Sequence, residues 1–266
     1  MDPAELLSAY DSQLREEAEV VRATAVERHV PLMWAQFDDG GFVTYRSLDG
    51  IEGVALDALI DTTMVHFREE TDVGTVEWKT RGHDQPADLG ERLQAGGFAA
   101  QEVETVMVGE AAALTVEVEV TPEVAIRRAG ESDDLLADVI RVSAMQEAVF
   151  GRDSGRDHER VAGQLAGDPE HYQMWLAEVG EEVVGAGTLD IVRGTEFAGL
   201  WGGGVIAQWR GRGIYRALVS VRARAALELG IRFMHSDCTA MSRPILERSG
   251  LVAVTTTTPY EWRRAG

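Results

Sequence analysis

In the second half of the chain, the spacing of apolar positions changes from that of strands to that of a helix. Residues 172–179 and 183–189 alternate apolar and polar side chains around a turn at 180–182, which predicts a β-hairpin. Residues 197–205 form an apolar run with three consecutive glycines, a composition that predicts a strand with a β-bulge. After a short turn, apolar residues recur with the spacing of one helix face, at Ala217, Leu218, Val221 and Ala225. The pattern therefore predicts a strand, a turn and a helix in immediate succession.

Further elements are predicted on both sides of this segment. A strand at 124–128 precedes a helix that begins at Ser132, a residue type that caps helices, and runs toward Phe150. The remaining predicted elements of this half are a helix at 159–165 and a strand at 232–238.

The first half also alternates between helices and strands. Residues 3–29 carry one apolar stripe, which predicts a helix that ends before Pro31. A second helix is predicted to open at Asp88 and to end at Gly96. Strands are predicted at 32–37, 42–45, 75–79 and 101–108.

The boundary between two domains is predicted in the middle of the chain. Residues 109–113 are small and polar enough to have no core of their own, so we interpret them as a linker. A chain of 266 residues is long enough for two domains that each bury a core. The predicted domains are 1–112 and 113–266.

The turn that leads into the helix after residue 205 has the chemistry of an anion site. Gly211 and Gly213 lack a Cβ, so the backbone can adopt positive φ angles and approach a ligand closely. The first helix amides have no intrahelical partner, and the helix dipole adds to the charges of Arg210, Arg212 and Arg216. Two common phosphate motifs do not fit, because no lysine follows Gly213 and Arg216 replaces the third glycine of the dinucleotide fingerprint. A pyrophosphate is the expected ligand.

The stretch from Arg210 to Tyr215, Arg-Gly-Arg-Gly-Ile-Tyr, resembles the cofactor motif of the GNAT acyltransferase superfamily, Gln/Arg-x-x-Gly-x-Gly/Ala at a strand-to-helix turn. Tyr215 departs from it, because the family has a small residue there. Residues 93–98 resemble the family's helix-Gly-Phe ending, whereas nothing before them resembles the phosphate turn. The resemblance implies an α/β fold with a mixed sheet: a GNAT fold in the C-terminal half and a smaller, degenerate GNAT-like N-terminal domain, as in some two-part bacterial members.

The resemblance also implies a cofactor and an activity. The cofactor is acetyl-CoA, with its pyrophosphate at the turn and its pantetheine arm beside a strand that parts from its neighbour. Residues 242–251 resemble the family's terminal helix, and aligning that helix on Gly250 puts Thr239, Ser242 and Leu246 at the family's Asn, Ala and Tyr positions. The implied cofactor-binding residues are Gly204, Val205, Ile206, Arg210, Gly211, Arg212, Gly213, Ile214, Tyr215, Thr239 and Ser242. The implied reaction moves an acetyl group from the coenzyme A thioester to the amine of a small molecule by direct attack.

Such a transfer needs a base for the amine and a proton for the leaving thiolate. The candidates for the base are Glu147, Glu196 and Asp237, and deprotonation through water would need none of them. In many family members a tyrosine supplies the proton, but Leu246 stands at that position. Tyr215 and Tyr260 carry phenols in the same half, and the predicted catalytic set is Glu147, Asp237 and Tyr215. The missing tyrosine leaves an alternative, a non-catalytic protein that binds acyl-CoA or senses another ligand.

Composition limits the partners. Forty-five acidic against 25 basic residues give a net charge of −20, which disfavours nucleic acid and anionic membranes and favours an amine substrate. No apolar run reaches the 18 or so residues of a membrane helix, so we expect a cytoplasmic protein. Cys238 is the only cysteine, which excludes an intramolecular disulfide, and the six histidines lack a ligand spacing, so we expect no metal. The sequence leaves open whether the protein forms a homodimer.

Overall fold

The structure is a computed structural model that describes residues 1–131, 134–151 and 157–264. The chain forms two compact units. The N-terminal unit consists of Met1–Met107, Asp237–Arg243 and Ala253–Gly266, and the C-terminal unit consists of Val108–Ser236 and Pro244–Val252. The end of the chain thus belongs to the N-terminal unit, so no single boundary in the sequence separates the two units. The domain limits 1–112 and 113–266 stay a prediction.

Helices and strands alternate along the N-terminal unit. Its helices are α1 (Pro3–Gln13), α2 (Gly53–Glu69) and α3 (Leu89–Ala95). Its strands are β1 (Ala25–His29), β2 (Leu32–Phe37), β3 (Gly40–Thr44), β4 (Thr75–Arg81) and β5 (Ala99–Ala100), and β6 (Glu104–Glu110) begins in it. The strands pair in the order β1-β2-β3-β4, and the last strand of the chain, β12 (Val252–Arg263), pairs with β4. The β3–β4 pair is parallel, whereas β1–β2, β2–β3 and β4–β12 are antiparallel.

The core of the N-terminal unit joins α2 to the strands. Leu56, Ile60 and Phe67 recur at helix spacing along α2, and each is almost fully buried. They belong to one apolar cluster with Trp34 of β2 and Trp78 of β4. The buried face of α2 therefore explains why this helix covers the sheet, and burying each such side chain stabilises the fold by roughly 2 kcal/mol.

The predicted helix at 3–29 is wrong beyond Gln13. Residues 16–19 form a short 3₁₀ turn, and residues 25–29 form β1, which pairs with β2 so that His29 lies opposite Leu32. The side chains of β1 are mostly exposed, so apolar periodicity carries little strand signal there. The backbone hydrogen bonds to β2, which the sequence does not show, decide the structure of this segment.

The C-terminal unit has the order of elements that the pattern predicts. Its helices are α4 (Ala111–Leu114), α5 (Leu135–Phe150), α6 (His158–Gly167), α7 (Ile214–Glu228) and α8 (Arg243–Ser249), and its strands are β7 (Ala125–Arg128), β8 (Tyr172–Val179), β9 (Glu182–Ile191), β10 (Phe197–Val205) and β11 (Phe233–Cys238). The strands pair in the order β11-β10-β9-β8-β7, and only β10–β11 is parallel. The predicted hairpin, the bulged strand and the helix near 159–165 are confirmed. Ser132 lies outside the described residues, and the carboxylate of Asp134 caps α5.

The predicted linker at 109–113 is wrong, because these residues complete β6 and form most of α4. Ala111 is buried, and its amide donates to the carbonyl oxygen of Arg232 at 2.8 Å. A Cβ on Gly109 would lie 2.9 Å from the carbonyl oxygen of Gly250. The residues of this segment are small because neighbouring backbones pack closely against it. A run of small residues in a sequence is also typical of a flexible linker, so the sequence alone does not distinguish the two.

A buried ion network joins β7, β8 and α5. Asp138 is fully buried and accepts hydrogen bonds from Nη1 and Nη2 of Arg127 at 2.7 and 2.8 Å, from the Gly130 amide at 2.8 Å, and from Arg141. Glu178 accepts from Nε of Arg127 at 2.6 Å and from Nη1 of Arg141 at 2.8 Å. Burial alone would raise the pKa of Asp138, but these hydrogen bonds lower it to about 2. Two guanidinium groups and two carboxylates thus compensate each other.

We predict that Asp138→Asn destabilises the protein by about 3 kcal/mol, because it leaves two guanidinium groups facing one carboxylate. The lowered pKa of Asp138 contributes stability above its ordinary value of 3.8 that is lost as pH falls toward about 2. The free energy of unfolding, measured with urea between pH 7 and pH 2, should therefore fall less steeply with decreasing pH in the variant than in the wild type.

The exposed pair Arg128–Glu131, at 3.7 Å, provides the control. Glu131→Gln should cost less than about 1 kcal/mol. Equal losses in the two variants would contradict the assigned role of Asp138.

Candidate cofactor site and active site

The parallel strands β10 and β11 separate after a short paired stretch. They pair only from Phe197 to Gly199 on one side and from Phe233 to His235 on the other. The hydroxyl of Ser236 then donates to the carbonyl oxygen of Leu200 at 2.9 Å, where the ladder ends. β10 itself continues to Val205, paired with β9 on its other side. From Leu200 onward, β10 is therefore no longer paired with β11.

A β-bulge shapes this edge. The register of β10 against β9 shifts between Trp201 and Gly204, and Gly202 has a φ of +58°. The side-chain amide of Gln146 on α5 donates to the carbonyl oxygen of Gly202 at 2.8 Å. Gln146 belongs to no sequence motif, but it lies on the buried face of α5, where a side-chain amide needs a hydrogen-bond partner.

The turn after β10 presents the start of α7. Gly211 and Gly213 have φ values of +76° and +80°, the left-handed region that favours glycine, so the backbone prediction for this turn is confirmed. Gly213 is the N-cap of α7, and no side chain of the described residues caps the helix. The amides of Ile214, Tyr215 and Arg216 belong to the first turn, where helix geometry provides no acceptor. The α7 N-terminus thus has the donor set that a pyrophosphate requires.

The arginines of the turn differ in their surroundings. The guanidinium of Arg212 lies 4.3 Å from the centroid of the Trp209 ring, and its Nη1 is 3.6 Å from Oε1 of Glu123. Nε of Arg210 donates to the carbonyl oxygen of Val205 at 3.0 Å and so ties the turn to the end of β10. These two contacts hold the guanidinium of Arg212 beside the turn, where Arg212 and Glu123 are both about half exposed.

The segment that precedes β7 runs along α7 to the same turn. The hydroxyl of Ser220 donates to the carbonyl oxygen of Val116 at 2.7 Å. A Cβ on Gly213 would lie 3.1 Å from the carbonyl oxygen of Glu119 and 3.1 Å from Val118. Gly213 is thus required both by its positive φ and by this close approach.

Two of the predicted catalytic residues lie in the C-terminal unit. Tyr215 points toward the bulged strand, since a Cβ on Gly203 would lie 3.2 Å from its ring and 3.3 Å from its hydroxyl. Glu147 is half-buried in the last turn of α5, next to Gln146 in sequence. A Cβ on Gly204 would meet Val149 of the same helix at 3.1 Å. The structure therefore brings Tyr215 and the end of α5 to the same strand, β10.

The third predicted catalytic residue, Asp237, belongs to the N-terminal unit. Its Oδ2 accepts a hydrogen bond from Nζ of Lys79 at 2.8 Å, and its side chain is 6% exposed. Burial alone would lower the pKa of Lys79, but the charges of Asp237 and Glu19 raise it, so this lysine stays protonated. Thr239 and Ser242 belong to the same unit, where the Ser242 amide donates to the carbonyl oxygen of Thr239 at 3.1 Å. As a base, Asp237 would first have to give up its ion pair.

The other candidates have structural surroundings. Glu196 is about half exposed and lies 3.7 Å from Arg232, and Tyr260 is half-buried on β12. Leu246 is buried in α8, and Cys238 is buried in β11. In the part of the chain that the structure describes, no group of three or more His, Cys, Asp or Glu could hold a metal ion. Among those same residues, no helix is long and apolar enough to cross a membrane.

A family model matches part of the C-terminal half of the chain. The model of the acetyltransferase (GNAT) family matches residues 141–245, which include α5, the bulged strand and the glycine turn. Residues 141–245 therefore form a GNAT domain. The predicted α/β fold, with a GNAT fold in the C-terminal half and a smaller GNAT-like N-terminal part, is confirmed. A search of curated proteins found no match.

Solved structures share this fold. A GCN5-related N-acetyltransferase from Kribbella flavida aligns with a TM-score of 0.68 at 14% identity, over 99% of this chain and 96% of that one. One from Sphaerobacter thermophilus aligns with a TM-score of 0.64 at 17% identity, over 89% and 78%. A tandem GNAT protein from the clavulanic acid biosynthesis pathway gives 0.57 at 13% identity, over 88% and 79%. At these identities the likeness concerns the fold.

We predict that Gly213→Ala and Gly211→Ala differ in cost. Both force a Cβ into the left-handed region, which costs about 1–2 kcal/mol. Only the Gly213 variant also pushes a methyl group against residues 118 and 119, because nothing lies within 4 Å of a Cβ on Gly211. Urea unfolding should therefore show the larger loss for Gly213→Ala. Equal losses would mean that the segment before β7 does not pack on the turn.

Proposed function

We propose that this GNAT protein is an acetyl-CoA-dependent N-acyltransferase that acts on the amine of a small molecule. The observation that carries the proposal is the early separation of β10 from β11 beside a helix whose N-terminus has no side-chain cap. An anionic cofactor with an extended arm fits both features, since helix amides bind phosphate and a strand edge pairs with an extended chain.

The described residues supply the groups that such a cofactor needs. The amides of Ile214, Tyr215 and Arg216 and the guanidinium of Arg212 would hold the pyrophosphate. The backbone of Gly203–Ile206 would hold the pantetheine arm. Gly203 and Gly204 suit this place because side chains of α7 and α5 already occupy the space around them. When bound, the cofactor supplies an activated acetyl thioester.

The protein's own groups would manage the protons of the transfer. The amine nitrogen forms a bond to the thioester carbon, the carbon–sulfur bond breaks, and one proton leaves the nitrogen while one reaches the sulfur. We assign the proton of the sulfur to the Tyr215 hydroxyl, because this phenol lies against the bulged strand. We assign the proton of the amine to Glu147, directly or through water, since it is half-buried at the end of the helix that holds the bulge. The net charge of −20 would attract a cationic amine.

A second function, binding of acyl-CoA without turnover, is favoured by one observation. Leu246 stands where many family members have the proton-donating tyrosine, and it is buried in α8. If Tyr215 does not replace that tyrosine, the protein would bind the thioester as a sensor. Both functions require the cofactor, and only the first releases free thiol.

The cofactor site can be tested by calorimetric titration with acetyl-CoA. We expect micromolar binding to the wild type and a loss of about tenfold or more in Arg212→Glu combined with Gly213→Glu, because charge and close approach are both removed. Arg193→Glu makes the same charge change at an exposed arginine paired with Asp168 and should bind like the wild type. No binding of acetyl-CoA, coenzyme A or longer acyl-CoAs by wild type would overturn both functions.

Turnover can be tested with a thiol-release assay on a panel of amines. If Tyr215 donates the proton, Tyr215→Phe should lower kcat by roughly 100-fold and leave the dissociation constant of acetyl-CoA nearly unchanged. Unchanged kcat in the variant would contradict the assignment to Tyr215. Tight cofactor binding with no thiol release from any amine would favour the sensor.

A further inference from the structure

The N-terminal unit repeats the architecture of the cofactor site with different chemistry. β3 and β4 pair in parallel only from Gly41 to Val43 and from Val76 to Trp78, and a turn then leads from β3 into α2. In that turn Gly50 and Gly53 have φ values of +79° and +57°. The residue types of this turn differ from those of the phosphate turn, as the sequence predicts. Its backbone geometry is nevertheless similar, because both turns contain glycines with positive φ angles.

The charges of this second turn do not suit a pyrophosphate. Asp49 and Glu52 stand before α2, where the other turn carries Arg210 and Arg212. Glu52 is the N-cap residue of α2, so a carboxylate lies at the positive end of that helix. A ligand of this turn should therefore carry less negative charge than the coenzyme A pyrophosphate.

A cavity of about 350 Å³ lies beside this turn, entirely within the N-terminal unit. Its volume is at the lower end of the range for small-molecule sites. The side chains that decide its chemistry are Asp11, Arg15, Tyr45, His83 and Asp84.

Arg15 supplies a cation with unused hydrogen-bond donors. Its side chain is 2% exposed, and Nη1 donates to Oδ1 of Asp84 at 3.0 Å. Its Nε and Nη2 are buried and have no hydrogen-bond partner among the residues that the structure describes. Asp84 is fully engaged, because its Oδ2 accepts from the Tyr45 hydroxyl at 2.6 Å and from the Arg81 amide at 2.7 Å. Nε and Nη2 are the edge with which arginine binds a carboxylate in bidentate fashion.

Asp11 supplies a carboxylate next to that cation. Its Oδ2 is 2.9 Å from Nε2 of His83, while its Oδ1 is 3.5 Å from Nη1 of Arg15, at the limit of a hydrogen bond. Burial raises the pKa of Asp11, but His83 and Arg15 outweigh it, so the side chain is ionised at neutral pH. Unlike Arg15, Asp11 is 28% exposed, so its carboxylate is accessible to a ligand.

We propose that this cavity binds a small zwitterion of the α-amino acid class, with its carboxylate on Nε and Nη2 of Arg15 and its ammonium group on Asp11. The two protein charges are neighbours, as the two charges of an α-amino acid are. A carboxylate would satisfy two buried donors that otherwise cost free energy, and an ammonium group would balance its charge. The proposal is independent of acetyl transfer in the C-terminal unit.

The test uses the full-length protein and the twenty standard α-amino acids as probes, by ligand-detected NMR and then calorimetry. We expect at least one amino acid to bind, and its des-amino acid and its decarboxylated amine to bind about tenfold more weakly, because each analogue loses one charge-assisted contact. Two substitutions should each weaken binding by about tenfold or more. Arg15→Lys keeps the positive charge but loses the bidentate guanidinium group, and Asp11→Asn removes the negative charge.

Arg81→Lys is the matched control, because Arg81 is equally buried and paired with Glu19 but does not line the cavity. Its affinity should stay within about twofold of wild type. Absence of binding by all twenty amino acids overturns the proposal, as does equal binding of the des-amino acid or wild-type affinity in both cavity variants. If Arg15→Lys does not fold, Asp11→Asn decides. Acetyl-CoA titration of the same samples reports separately on the proposed function.

Discussion

Backbone hydrogen bonding between β10 and β11 stops after three residue pairs, and the candidate site depends on that interruption. A strand edge inside a protein must find partners for its amides and carbonyls, so an edge left open near a helix N-terminus is costly unless a ligand or water completes it. The bulge of β10 at Gly202 is held by a hydrogen bond from Gln146. Tyr215 lies against β10 at Gly203, where no side chain competes for that space.

Both units keep buried cations, even though the chain as a whole is strongly acidic. In the C-terminal unit, Arg127 is matched by carboxylates on a helix and a strand, so the cost of desolvation is offset. In the N-terminal unit, Lys79 and Arg81 are matched by Asp237 and Glu19. Arg15 differs, because one edge of its guanidinium is matched and the other is not. That difference separates a structural ion pair from a candidate ligand site.

The two strand–turn–helix segments show how residue type changes the chemistry of one backbone design. Positive-φ glycines occur in both turns, and both helices begin where parallel strands separate. Arginines in one turn favour an anionic cofactor, whereas acids in the other disfavour it. The cavity beside the N-terminal turn, with Arg15 and Asp11 in its lining, then suits a smaller and electrically neutral molecule.

The sequence by itself determined the strand, glycine turn and helix from 197 to 228 and the hairpin before them, because periodicity and glycine act locally. It also predicted an anion site at the turn. Only the tertiary structure decided that residues 25–29 form a strand, that 109–113 pack closely, and that Asp237 is bound to Lys79, since each depends on a partner distant in sequence. Gln146 and Arg15 were likewise invisible, because hydrogen bonds across a fold follow from which segments meet, and local patterns do not encode that.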